Sequence, residues 1–319
     1  MGQAKPFTQQ PYGEIPSVPR LPHAYALTQP CDLDMVSEGY GPLRIHYRSL
    51  GEGPPLLLVH GLMTSSYSWR YVAASLARDF RVIIPDLPGA GRSDKPRHCS
   101  FAPEPLSRWI GEFQAALDIR GCLAVGNSLG GYLCMREALR DPGAFRRLVN
   151  IHSPAVPLAR LWVLRFGLSL PGVFRALERR IRRDPYRWVH RFVKYFDETL
   201  KSQEEAHAYG TPLASSDGAR CFLRCLQEAC DPMAFRAFVQ QLEARVLAQQ
   251  PFPVPLQLVY ARQDPMVPPH VGARLQALVP DADFVWMTGT SHFAHVETPE
   301  RFIDVVRPFL QAGIGQTRP

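Results

Sequence analysis

Short, almost wholly apolar runs recur along the chain and end in Gly, Pro or polar residues. Residues 55–60 (PLLLVH), 81–86 (RVIIPD), 121–128 (GCLAVGNS), 147–152 (RLVNIH) and 255–261 (PLQLVYA) are of this kind. Runs this short, with no polar alternation, fit strands of a parallel sheet buried on both faces. Residues 43–50 (LRIHYRSL) alternate and read as a strand, and another strand is expected at 283–288. In between, the apolar spacing is helical at 69–78, 105–119, 129–140, 270–279 and 299–312. Asp141-Pro142-Gly143 stops the third of these helices. Strand and helix alternate, so the predicted class is α/β, a mostly parallel sheet with helices on both faces.

The alternation breaks after residue 154 and resumes near 255. Residues 155–250 contain no convincing strand and are expected to form a helical cap inserted into a core made of 36–154 and 251–319. A Pro-rich extension, 1–35, precedes the core. Within 155–196 large apolar side chains alternate with arginines, and 155–250 holds 15 Lys and Arg against 10 Asp and Glu. An amphipathic cap of this kind can line an apolar pocket with one face and meet water with the other.

Composition narrows the picture only a little. Hydrophobic residues are 46% and charged residues 20% of 319, ordinary for a globular protein. The net charge is +7, read as a solvated basic surface with its excess spread along the chain. No nucleic-acid motif accompanies it, and contact with an anionic membrane surface is the less favoured reading. Seven cysteines, an odd number without a regular framework, fit reduced thiols in a cytoplasmic protein. Residues 1–30 lack the apolar run of a secretory leader, and no stretch of about 18 uncharged apolar residues would span a membrane. Gly89-Ala90-Gly91 is not a dinucleotide loop, because Pro88 interrupts the turn and Asp94 stands where a third glycine belongs. No metal pattern surrounds His292 and His295, and no cofactor is expected.

The chemistry concentrates at three loops. Gly126-Asn127-Ser128-Leu129-Gly130 is a G-x-S-x-G at a predicted strand-to-helix junction. A Ser on so sharp a turn needs glycine two positions before and after it, where side chains would collide with neighbouring elements. The hydroxyl is then exposed at a helix N-terminus, where the Leu129 N–H can meet a developing oxyanion. A Ser hydroxyl is a poor nucleophile at neutral pH and needs a base. His292, in the polar loop after the last predicted strand, is the candidate, with His295 as its local competitor. Asp264, after the strand 255–261, is the candidate acid, and 151–157 offers no carboxylate in its place. The three candidates stand in the chain order Ser128, Asp264, His292. His60-Gly61-Leu62-Met63 follows the strand 55–60, and the Leu62 N–H is the candidate second oxyanion donor. His60, Asp86 and Asp94 are read as structural. Met63, Trp162, Phe166 and Phe293 are the candidate substrate-binding residues, with Trp162 and Phe166 expected to face the Ser128 mouth.

With these motifs in place the chain resembles the α/β-hydrolase superfamily, in particular the members with a helical cap. The resemblance covers about residues 40–153 and 252–312 and rests on HGLMTSSYSWR, IIPDLPGAGRSDKP, VGNSLGG, YARQDPMVP and SHFAHVETPERF. The first two segments look most like the haloalkane-dehalogenase branch, which carries Asp at the elbow where this chain has Ser128. That departure points away from displacement by a carboxylate and toward acyl transfer. The His292-to-Glu297 spacing also matches the family and favours His292 over His295. The expected function is a serine hydrolase of an apolar carboxylic ester. Two alternatives stay open: a carbon–carbon bond hydrolase of a ring-cleavage product, which the Asn127-Ser128 elbow resembles, and a ligand-binding protein of low turnover. The partner expected is a small molecule; oligomeric state is left open.

Overall fold

The computed structural model describes residues 6–314. Eight strands form one sheet: β1 Gln29–Ser37, β2 Gly41–Leu50, β3 Pro55–Val59, β4 Arg81–Pro85, β5 Cys122–Asn127, β6 Phe145–Ile151, β7 Leu256–Ala261 and β8 Asp283–Met287. Their order across the sheet is β1-β2-β4-β3-β5-β6-β7-β8. β1 and β2 pair antiparallel, β2 pairs antiparallel with β4, and every other neighbour is parallel. This is an α/β-hydrolase fold.

The central strands are buried along their length, as their unbroken apolar runs demand. One face is covered by α2 (Pro103–Ala116), α3 (Leu129–Arg140), α9 (Pro232–Leu247) and α10 (Pro269–Leu278), whose buried side chains share a core with Leu57, Ala124 and Leu258. The other face is covered by α1 (Ala73–Leu76) and α11 (Pro299–Gln311), with Trp69, Phe302 and Val306 against Leu58 and Val125. The helix expected at 69–78 is largely replaced by i to i−3 bonds: Arg70 N–H donates to Tyr67 O and Val72 N–H to Trp69 O, and regular α-helix lasts only through α1.

Two sequence boundaries shift: α9, expected in the cap, buries Phe235, Phe238 and Leu242 in the core of the sheet, and the first strand starts early. β1 begins at Gln29, inside the stretch assigned to the extension, so residues 29–35 are sheet. Its Pro30 lacks an N–H, which an edge strand tolerates. The first five residues of the extension and the last five of the chain lie outside the described residues. Between β6 and β7 the chain is helical: α4 (Ala159–Ser169), α5 (Val173–Arg183), α6 (Pro185–Phe192), α7 (Gln203–Gly210) and α8 (Ser216–Glu228) precede α9. Their side chains make a third core that also takes Tyr67, Phe293 and Val296 from the loops beyond β3 and β8. Among the described residues no helix is long and apolar enough to cross a membrane.

Candidate active site

The C-terminal ends of β3, β5, β6, β7 and β8 lie side by side, and the loops leaving them hold the candidate residues. Ser128 sits between β5 and α3 with φ 54° and ψ −119°. The flanking glycines explain how the turn closes. A methyl group at Gly130 would overlap the carbonyl oxygen of Val59, and one at Gly126 would lie 2.5 Å from Cα of Gly131. Met63 (φ 65°) and His152 (φ 50°) also adopt left-handed backbone, at the ends of β3 and β6. Three strained non-glycine residues thus gather around one sheet edge, where strain is most often held for function.

His292 Nδ1 donates to Asp264 Oδ2 at 2.7 Å, and both side chains are buried. No hydrogen bond from the described residues takes Nε2. Asp264 is itself fixed by a tight turn, its Oδ1 accepting the N–H groups of Met266 (2.7 Å) and Val267 (2.8 Å). Burial opposes its ionisation. The charge and hydrogen bond of His292, the nearby His152 and the Val267 N–H outweigh that and hold the carboxyl below its usual range. The Ser128 and His292 loops are tied together, because Asn127 Nδ2 donates to the His292 carbonyl at 3.1 Å.

Leu62 and Leu129 lie in the two loops that meet at the elbow. Gly61 approaches the elbow so closely that a Cβ there would stand 3.0 Å from Cβ of Ser128. Leu129 opens α3, and no hydrogen bond from the described residues occupies the N–H of either leucine. His60 holds this loop: Nδ1–H donates to Gly61 O (2.8 Å), while Nε2 accepts from Leu87 N (3.0 Å).

These elements match a known family. A family model described as the alpha/beta hydrolase fold covers residues 54–299. The chain belongs to the α/β-hydrolase fold family. Among its relatives is haloalkane dehalogenase 2 of Mycobacterium tuberculosis, 27% identical over 81% of this chain and 88% of that one. Another is a pimeloyl-[acyl-carrier protein] methyl ester esterase of Aeromonas hydrophila, 26% identical over 84% of this chain and all of the other. A thermophilic esterase from Thermogutta terrifontis superimposes with a TM-score of 0.71 at 20% identity, over 89% of this chain and 99% of that one.

A cavity lies between the loop after β3, the start of α3 and the helices inserted after β6. It measures about 40 Å³ and is lined from the core by Leu62, Met63 and Leu129, and from the cap by Tyr209, Leu213, Cys221 and Phe222. Of the four candidate substrate-binding residues only Met63 reaches it. Phe293 is buried beside His292 and packs edge-on against Tyr195 at 5.5 Å. Trp162 and Phe166 do not line the cavity: they are 44% and 68% exposed, on a helix whose one buried residue is Leu168. The reason is that α4 turns its opposite edge to the protein, and the cavity wall comes from α8 and the turn before it.

Two further side chains were given no role of their own by the sequence reading. His152 is fully buried after β6, its ring 5.6 Å from that of His292. Its Nε2 accepts the Ala261 N–H, and burial drives its pKa down to about 3. A histidine directly after a strand at the same sheet edge was the available signal. Glu297 accepts from Ser291 N (2.9 Å) and Oγ (2.6 Å), and from Phe196 N (2.5 Å) in the cap. It braces the residue before His292. The spacing of Glu297 from His292 marked it, without showing which atoms it would hold.

Proposed function

We propose that this α/β hydrolase is a serine hydrolase of carboxylic esters. The observation that carries the reading is the buried Asp264–His292 pair with Nε2 uncommitted, in a loop that Asn127 ties to the strained serine of the elbow. In the proposed cycle His292 Nε2 takes the Ser128 proton as the hydroxyl attacks the ester carbonyl. Asp264 holds the tautomer with Nδ1–H and stabilises the imidazolium. The N–H groups of Leu62 and Leu129 receive the oxyanion. His292 then protonates the departing alcohol and activates the water that releases the acyl group. Serine at the elbow, rather than the carboxylate of the dehalogenases, favours acyl transfer over displacement at carbon.

The ester is apolar near its carbonyl, and its acyl part is compact. A water needs about 10–15 Å³ of such volume, so a 40 Å³ cavity has room for only a short chain unless the cap yields. A fluorophosphonate probe should label Ser128, and Ser128→Ala should abolish labelling and hydrolysis of a short-chain ester. Labelling that survives in the variant would place the nucleophile elsewhere.

A further inference from the structure

The positive charge of the molecule is not spread along the chain. Residues 159–192, α4 through α6, hold nine arginines and two acidic residues, a formal +7 that equals the net charge of all 319 residues. The rest of the chain is balanced. Both acids are already engaged: Glu178 is buried within reach of Arg182 (3.9 Å) and Arg220 (3.7 Å), and Asp184 lies 3.4 Å from Arg187. Arg175, Arg179, Arg180 and Arg183 on α5 are exposed, and none makes an ion pair with a described residue. Arg180 and Arg183 join Arg187 and Arg191 of α6 around an open groove of about 700 Å³ that Asp184 and Trp188 also line.

The same segment leaves apolar side chains in water. Trp162 (44% exposed), Val163 (73%) and Phe166 (68%) share one face of α4, and Leu170 and Val173 continue it through the turn into α5. Phe192, 43% exposed, packs tilted against Trp188 with ring centroids 4.4 Å apart, and Trp188 lines the arginine groove. These include all the exposed Trp and Phe side chains among the described residues.

We propose that α4–α6 is a docking surface for an anionic lipid bilayer. Charge complementarity selects this occupant. A second copy of the chain would set guanidinium groups against guanidinium groups. A nucleic acid would answer the arginines but offer no hydrocarbon to Val163, Phe166, Leu170 and Val173. A bilayer with acidic headgroups meets both needs: phosphates seat among the arginines while aromatic and aliphatic side chains enter the acyl boundary. The inference concerns binding alone and does not depend on the proposed hydrolysis.

Purified full-length protein should co-sediment with phosphatidylcholine vesicles that contain phosphatidylglycerol, and not with phosphatidylcholine alone. High salt should weaken the binding. At about a fivefold loss for each basic residue near the surface, the exposed-surface variant R180Q/R183Q/R187Q/R191Q should bind roughly several hundredfold more weakly. W162S/F166S should also bind more weakly while keeping the wild-type far-ultraviolet circular dichroism. Brominated acyl chains should quench tryptophan emission in the wild type and less in W162F. Equal binding to both vesicle types would overturn the proposal, as would undiminished binding of both multiple variants. Concentration-dependent dimerisation abolished by W162S/F166S would also overturn it and give the face to a second copy.

Discussion

At the scale of single residues, two histidines three positions apart have opposite surroundings. His292 has one nitrogen committed to Asp264. His295 is fully buried with neither ring nitrogen bonded to a described residue, its ring 4.4 Å from Trp69, and burial holds it well below the usual histidine range. Substituting His292 with Ala should lower turnover about 10⁴-fold or more while the fold survives. His295→Ala removes a packed ring, so it should lower stability by roughly 2–4 kcal/mol and leave the turnover of the folded fraction near wild type. Steady-state kinetics beside thermal melts separate the two, and equal losses of turnover would undo the distinction. Glu297 makes a pH prediction. Burial, opposed by the Ser291, Phe196 and Phe293 donors, raises its pKa from 4.5 to about 7. Between those values the folded state binds the proton more tightly than the unfolded state, so ionising Glu297 costs stability as pH rises. The melting temperature of wild type relative to Glu297→Gln should therefore be higher at pH 5 than at pH 8. A difference that is flat, or that grows with pH, would show the donors dominating. The elbow, its glycines and the chain order of the three loops were legible because their local sequence requirements are strict. His152 and Glu297 were not, since their roles depend on partners brought in from other loops.

Among the elements, the buried strands were the most readable, because a five- or six-residue apolar run has few other stable fates. β1 was hidden by Pro30 and by half-exposed positions that pair only with β2. The cap helices taught a different lesson. In α4 nearly every position is apolar or arginine, so the sequence identifies an amphipathic helix without saying which edge packs. Trp162 and Phe166 were expected inward and stand outward, whereas the cavity wall is built by α8. Cys221 and Cys225, four apart, share a helix face there and both line the cavity. Phe222 and Leu213 complete the cap side of that wall, so cutting either to Ala should enlarge a cavity of about 40 Å³. Phe222→Ala should shift ester preference toward longer acyl chains, with the rate on a short ester changed far less. Relative kcat/KM across a series of p-nitrophenyl esters tests this, and an unchanged profile would remove α8 from the acyl site.

Across the whole molecule, the N-terminal segment binds the cap to the core. Phe7 N–H donates to Phe196 O at 3.0 Å, and Gln203 and Glu204 N–H donate to Pro16 O (2.8 Å) and Ser17 O (2.9 Å). Lys194 Nζ reaches Gln9 Oε1 at 2.9 Å, and His190 Nε2 donates to Gln10 O at 2.8 Å. Farther along, Glu204 Oε1 accepts Tyr67 OH (2.7 Å) and stands 3.0 Å from His23 Nε2, so one carboxylate joins extension, core loop and α7. Beneath it Arg70, fully buried between the rings of Tyr67 and Tyr71, pairs with Glu205, which also accepts Tyr195 OH at 2.6 Å. Most of these contacts span more than 130 residues of sequence, which is why composition alone left the extension without a role. Removing residues 1–24 takes away the strap while sparing β1, which starts at Gln29. The Arg70–Glu205 pair remains to hold α7. The loss should therefore be local: faster amide exchange in α6, in α7 and in the link between them, with β3, β5, β6 and β7 as protected as before. Glu205→Gln acts at the deeper anchor, and leaving the Arg70 charge without its counter-ion should cost about 3–5 kcal/mol, lowering the global melting temperature as well. If the truncated protein exchanges like the full chain in α6 and α7, the segment lies on the cap without securing it, and Arg70–Glu205 alone sets how readily the cap moves.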